Sequence, residues 1–258
     1  MAANTSKPSA AENAISITAR QALAAEWPEY LIEAVNLGLF MVSACVFGTL
    51  LAHPDSQMYG LIDDPFVRRV IMGVAMGITA ICIICSPWGQ RSGAHMNPSI
   101  TLTYLSLGRV KPWTAVFYKA AQFLGGVLGV YVAELFIGPP LGHTAVNYVV
   151  TSPGETGLAA AFAAEFSISL FLMLTVLFVS NTPALSRWTP LTAGLLVALY
   201  ITFEDPFSGM SMNPARSFGS AFAASQWSEL WIYFLAPLLG MMLAGFLYRL
   251  RRGAHRAF

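Results

Sequence analysis

Six apolar stretches decide what this chain can become; they lie at about 30–52, 67–86, 113–137, 158–180, 189–204 and 230–250. A helix needs about 20 apolar residues to cross a bilayer. In lipid every backbone polar group must be satisfied within the segment, so such stretches fold as helices. Charged residues make up only 10% of the chain and the mean hydropathy is +0.60, whereas a soluble domain carries about a quarter charged residues. The expected class is an all-α membrane protein. A net charge of +1 with no basic, aromatic-interleaved patch excludes a nucleic-acid partner. Cys45, Cys82 and Cys85 all sit in apolar runs and, being odd in number, do not read as a disulfide framework. Cys82 and Cys85 have no His, Asp or Glu beside them and read as buried packing residues. No His-rich or paired-carboxylate signature points to a metal, so neither a cofactor nor an enzyme is expected.

The chain also repeats itself. "SGAHMNPSI" begins at Ser92 and "SGMSMNPARS" at Ser208. Each Asn-Pro opens a short apolar piece, 97–107 and 213–224, of about 11 residues or roughly 16 Å of helix. Such a piece reaches only halfway across a bilayer core of about 30 Å. Upstream, Glu33 opens "EAVNLGLFM" and Glu165 opens "EFSISLFLM" at the same relative place. Three spans and one half-helix, written twice, make repeats at about 28–137 and 158–250. An odd number of spans turns the second copy upside down, which puts a functional site at the midplane where broken helices meet. Residues 53–66 have no counterpart of equal length. Residues 1–27 read as an N-terminal tail with an amphipathic helix before Pro28, and 251–258 as a short basic tail. Lys and Arg gather on the side of both termini and Asp and Glu on the other; Arg68 and Arg69 go against the trend. This asymmetry places both termini in the cytoplasm.

Asn97 and Asn213 are strong helix N-caps, and Pro98 and Pro214 occupy the first helical position, where a missing N–H costs nothing. Each capping oxygen is used on the helix backbone, which leaves the NH₂ free to donate into a cavity. Two helix N-termini meeting there supply about half a positive charge each, which welcomes the oxygen of a neutral molecule and repels cations and protons. The irregular runs Gly93, Ala94, His95, Met96 and Gly209, Met210, Ser211, Met212 offer backbone carbonyls as a ladder of acceptors. Arg216 stands in the first turn of its half-helix, where the dipole disfavours a cation. A membrane arginine is costly and points to function. An ion pair to Glu204 or Asp205 is the structural alternative.

With these motifs the chain resembles the major intrinsic protein family, the aquaporins and glycerol facilitators, over about residues 28 to 250. The boxes "SGAHMNPSITL" and "SGMSMNPARSFGSA" are similar to the family's paired Asn-Pro-Ala boxes. The resemblance implies six transmembrane helices plus two half-helices in an inverted repeat, a homotetramer with one pore per subunit, and multi-pass insertion in the cell membrane. It implies that Asn97 and Asn213 are the central asparagines, Arg216 the constriction arginine and His95 a pore-lining histidine. Glu33 and Glu165 match buried glutamates that hold the loops. Gly125 and Gly129 form a GxxxG pair suited to close helix packing.

The chain departs from the pattern in places. The boxes read Asn97-Pro98-Ser99 and Asn213-Pro214-Ala215, so the first ends in serine rather than alanine. Counting back from Asn213, the fifth-span constriction position is Ile201, where water-selective members usually carry His. The next is Met210, and the second-span residue is Met76 or Gly77. Ser217 and Ala221 stand where glycerol facilitators typically have Asp and Arg, and Tyr233 with Phe234 forms a pair that is aromatic in the water branch. The expected function is a passive channel for water with small neutral solutes, excluding protons and ions. The alternatives are a glycerol or metalloid facilitator of the same fold, or an inverted-repeat secondary transporter.

Overall fold

The computed structural model describes residues 18–254. Helix α1 (Ala19–Ala52) is followed by the short α2 (Gln57–Leu61) and by α3 (Pro65–Cys85), α4 (Pro87–Ser92) and the half-helix α5 (Pro98–Ser106). Helix α6 (Pro112–Ile137) closes the first repeat. The second repeat runs α7 (Leu158–Ser180), α8 (Thr189–Phe203), α9 (Asp205–Ser208), the half-helix α10 (Pro214–Ala224) and α11 (Leu230–Ala254). No strand occurs among the described residues.

Five helices are long and apolar enough to cross a membrane: α1, α3, α6, α7 and residues Leu230–Arg251 of α11. The sixth expected span, 189–204, is the exception. Helix α8 has 15 residues, or about 22 Å at 1.5 Å per residue. A 3₁₀ turn at Ser186–Trp188 extends it at one end and α9 at the other. The spans expected at 67–86, 113–137, 158–180 and 230–250 fall within a few residues of expectation, and the first ends at Ala52 as expected but starts earlier.

The N-terminus corrects the expected boundary at residue 28. Helix α1 begins at Ala19 and runs through Pro28, bending at Glu26 (φ −125°, ψ 17°). Pro28 follows that bend, in the first turn of a new helical segment, where its missing N–H is tolerated. Residues 19–27 belong to the folded body, because Glu26 accepts from Thr114 (2.6 Å) and Lys111 (3.1 Å) of α6. Residues 1–17 and 255–258 of the expected tails lie outside the described residues.

Each repeat packs its first long helix against its last, α1 on α6 and α7 on α11, and α3 packs on α8 across the two halves. The expected glycine pair makes the α1–α6 contact. A Cβ on Gly125 would lie 2.1 Å from the Ala34 carbonyl oxygen, and one on Gly129 2.5 Å from that of Gly38. All six tryptophans of the chain are exposed. Trp27, Trp88, Trp113 and Trp188 gather at one end of the bundle, Trp227 and Trp231 at the other. This is the double belt of amphipathic rings found at membrane interfaces. Arg68, an exception to the charge pattern, donates to the Ile62 carbonyl (2.8 Å) and stacks on Tyr59 (4.3 Å), so it braces the 53–66 loop. Two cysteines also differ from expectation. Only Cys45 is buried; Cys82 and Cys85 are exposed on the outer face of α3.

Candidate functional site

Both half-helices start as their sequence dictates. Asn97 accepts from the Ser99 N–H at 2.9 Å, and Asn213 from those of Ala215 (3.0 Å) and Arg216 (3.3 Å). The residues before each cap repeat one unusual backbone path. Gly93, Ala94 and Met96 have φ of 85°, 45° and 49°, and Gly209, Met210 and Met212 have 74°, 42° and 55°. Left-handed backbone is unfavourable for residues with a Cβ and persists only where the surroundings over-determine it.

The buried glutamates are those surroundings. Glu33 accepts from the N–H groups of His95 (2.9 Å) and Met96 (2.7 Å), the Ser92 hydroxyl (2.8 Å) and the Gln122 amide (2.7 Å). Glu165 accepts from the N–H groups of Ser211 (2.6 Å) and Met212 (2.7 Å) and the Ser208 hydroxyl (2.8 Å). A tyrosine clamps the serine carbonyl in each half, Tyr118 on Ser92 (2.7 Å) and Tyr233 on Ser208 (2.6 Å).

The two loops are tied together at the centre. Asn97 donates its amide to the Met212 carbonyl and Asn213 donates to that of Met96, both at 2.7 Å. This corrects the expectation that both NH₂ groups are wholly free. One hydrogen of each is spent on the opposite loop and one remains. It also occupies one of the two lone pairs on each of the Met96 and Met212 carbonyls. The carbonyls of Gly93, Ala94 and His95, and of Gly209, Met210 and Ser211, accept no bond among the described residues.

One cavity of about 330 Å³ runs past all of this. It follows α8 through Thr189, Ala193, Val197 and Ile201, and α3 through Met72, Met76, Ala80 and Ile84. Residues four apart share a helix face, and twelve residues at 1.5 Å give a passage of about 18 Å along either helix. Both loops, Asn97, Asn213, Met210 and Arg216 line the same cavity. Of the two second-span candidates, Met76 lines the cavity. Gly77 faces α8 instead, with the Gly194 carbonyl 2.6 Å from where its Cβ would be. His95 lines the wall, with Nδ1 3.0 Å from the Thr101 hydroxyl and its ring against Tyr104. Pro98, Ser99, Pro214 and Ala215 are buried behind the caps.

Arg216 makes no ion pair among the described residues, so the alternative of a bridge to Glu204 or Asp205 is not formed. Its Nη1 is buried without a partner. Asp205 lines the cavity with it, while Glu204 turns to Ser208 at 2.5 Å. The sequence reading missed Phe40 and Leu172, which line the cavity seven residues after Glu33 and Glu165, and Ala44 and Val176, which do so at eleven. Continuing the repeat from the glutamates by helical turns finds all four.

Comparison with known proteins agrees with this geometry. The family model described as major intrinsic protein matches residues 21–248. The chain belongs to the major intrinsic protein family. Members of this family are transmembrane channels for water or small solutes, not enzymes. The chain is 32% identical to aquaporin TIP2-1 of Arabidopsis thaliana over 222 residues, 85% of either protein. It is 38% identical over 226 residues to a probable aquaporin, TIP-type RB7-5A, of Nicotiana tabacum, again 85% of either. Aquaporin-4 of Bos taurus is 32% identical over 80% of this chain and 64% of its own length. Among solved structures, the aquaglyceroporin from Plasmodium falciparum superposes with a TM-score of 0.74 over 87% of this chain and 96% of its own, at 18% identity. That likeness speaks for the major intrinsic protein fold alone.

Proposed function

We propose that the protein is a passive channel for water that also passes small neutral solutes and excludes protons and ions. The observation that carries this reading is the cavity along α3 and α8, with both Asn-Pro helix starts facing it. Two helix N-termini and the remaining amide hydrogens of Asn97 and Asn213 make its middle electropositive and donor-rich. The free carbonyls on either side take the hydrogens of a passing molecule. Water turned oxygen-inward at the centre cannot hand a proton on, and a cation meets two positive dipole ends.

Arg216, Ile201, Met210 and Met76 form the outer filter in this reading. Three of the four are apolar, which favours passage of solutes with a carbon face beside water. A second reading, a facilitator chiefly for such solutes, rests on that same apolar wall. The protein works as a homotetramer with one pore per subunit and both termini in the cytoplasm. Osmotic swelling of proteoliposomes tests the function. The channel gives linear water flux with low activation energy, no ion dependence and no proton leak to an enclosed pH dye. Saturable, ion-coupled flux means a transporter instead.

A further inference from the structure

The two halves hold their loops with matching bonds, except at one place. Glu33 has a fourth donor in Gln122, four residues after Tyr118. Four residues after Tyr233 stands Pro237, which offers no donor. In that half a second carboxyl group arrives instead. Glu204 lies 2.5 Å from the same Ser208 hydroxyl that Glu165 meets at 2.8 Å.

The protons can be counted. Ser208 has one hydroxyl hydrogen and two carboxyl groups within bonding distance. Only one contact can use that hydrogen, so the other needs a hydrogen from a carboxyl. Glu165 accepts two backbone N–H bonds besides, which favour the carboxylate. The second oxygen of Glu204 is buried and has no partner among the described residues, so nothing there compensates a charge. The satisfied arrangement puts the proton on Glu204. Its O–H donates to Ser208, Ser208 donates to Glu165, and the Met210 N–H (3.2 Å) fills the remaining acceptor site of Ser208.

We propose that Glu204 is a positioning residue of the outer filter, which holds Ser208 and the loop 209–212 in place only while its own carboxyl is protonated. The groups that face it are Glu165 of α7, Asp205 of α9 and Tyr233 of α11, with Glu229 beyond Tyr233. Arg216 of α10 and Arg69 of α3 face Asp205, and no cation pairs with Glu204 among the described residues. Ionising Glu204 sets a second negative charge one hydroxyl away from Glu165. The Ser208 hydroxyl is then contested, and the Met210 backbone loses its anchor. Met210 lines the cavity, so flux falls as pH rises through this ionisation and returns as pH falls.

The flux consequence rests on the channel reading; the protonation of Glu204 does not. Full-length protein in liposomes is assayed by osmotic swelling from about pH 5 to about pH 9, between the ordinary ranges of Glu and Tyr. Wild-type water permeability should drop about fivefold over that range, the factor one neutral hydrogen bond controls. Glu204→Gln can donate an N–H to Ser208 and carries no charge, so its flux should stay flat at the wild-type acid value. Infrared spectra of the wild type should show a protonated-carboxyl stretch that disappears reversibly on alkalinisation and is missing from Glu204→Gln. Should that variant not fold, Ser208→Ala, which removes the contested hydroxyl, should abolish the pH response. A pH response that survives Glu204→Gln, a carboxyl band that survives it, or a wild type flat in flux while the band titrates overturns the proposal. Absence of flux at every pH strikes the channel reading, and the infrared titration still decides where the proton sits.

Discussion

Asn213 donates its side-chain amide to the carbonyl of Met96, 117 residues earlier, at 2.7 Å. The same side chain caps its own half-helix through its oxygen. One residue thus ends one loop and pins the other. Asn213→Asp keeps the shape and the cap but turns the donor into an acceptor facing a carbonyl. Leaving the Met96 carbonyl unpaired against a carboxylate costs about 1–3 kcal/mol. The expected outcome is a lower melting temperature in detergent, reduced water flux and a measurable cation leak in liposomes. Wild-type stability with wild-type cation exclusion would remove the role given to the cross-bond.

Glu33→Gln tests the loop anchors. One carboxylate oxygen takes the His95 N–H and the Ser92 hydroxyl, the other the Met96 N–H and the Gln122 amide. An amide in place of either oxygen meets donors with a donor. At least one buried N–H is orphaned, again at about 1–3 kcal/mol, and the left-handed residues Ala94 and Met96 lose what holds them. The variant should melt several degrees lower than wild type, and water flux per folded protein should fall. A proton-relay role for Glu33 predicts instead normal stability and an altered proton conductance.

How much of this was legible beforehand depends on how local the rule was. The half-helices, their caps and the paired glutamates follow from short motifs and were readable. So was the GxxxG contact, because small residues four apart mark one helix face. The choice between Met76 and Gly77 was not, since one residue turns a helical side chain by about 100° and a one-residue register error hides it. The amide cross-bonds join residues 115 and 117 apart, and no local rule foresees them. The sequence puts Glu204 and Asp205 among the acidic residues of the outer side and offers them as ion-pair partners of Arg216, and nothing local says which of them is buried. The short α9 folds them back beneath the loop, where Glu204 is only 8% exposed.

Gly125 carries the helix packing of the first repeat. A Cβ there would sit 2.1 Å from the Ala34 oxygen and 2.6 Å from its Cα. Neither backbone atom can swing aside, so α1 and α6 must part. Overpacking of this kind costs about 1–3 kcal/mol or more. Gly125→Ala should lower the melting temperature and shift protein into aggregates on size exclusion. Gly60, whose Cβ would meet open space, is the control, and Gly60→Ala should behave as wild type.

Arg216 sits at the helix end where its charge is disfavoured and has no ion-pair partner among the described residues. Its cost is explained if the charge serves the filter. Arg216→Val should raise permeability to urea and glycerol or admit cations, measured by solute swelling and by a cation-sensitive dye. Unchanged selectivity in a folded variant would return Arg216 to a structural role.

Ile201 is the point where this chain differs most from the water-selective pattern that its boxes resemble. It lines the cavity with Arg216, Met210 and Met76. A histidine in its place would donate to water and narrow the slot opposite the guanidinium. Isoleucine offers no hydrogen bond, so a passing water loses one partner, worth about 1 kcal/mol or several-fold in relative permeability. A molecule with a carbon face meets apolar surface instead. Wild type should therefore pass glycerol, urea or hydrogen peroxide beside water, and Ile201→His should depress solute flux more than water flux. Met210 is the rival narrowing element, because its long flexible side chain can close the slot alone. Its backbone is fixed in the left-handed region (φ 42°), so Met210→Ala shortens the side chain without freeing the loop. Solute and water flux compared in wild type and both variants separate the two. A wild type that excludes all three solutes, with Met210→Ala admitting them, assigns the filter to methionine and removes Ile201 from it.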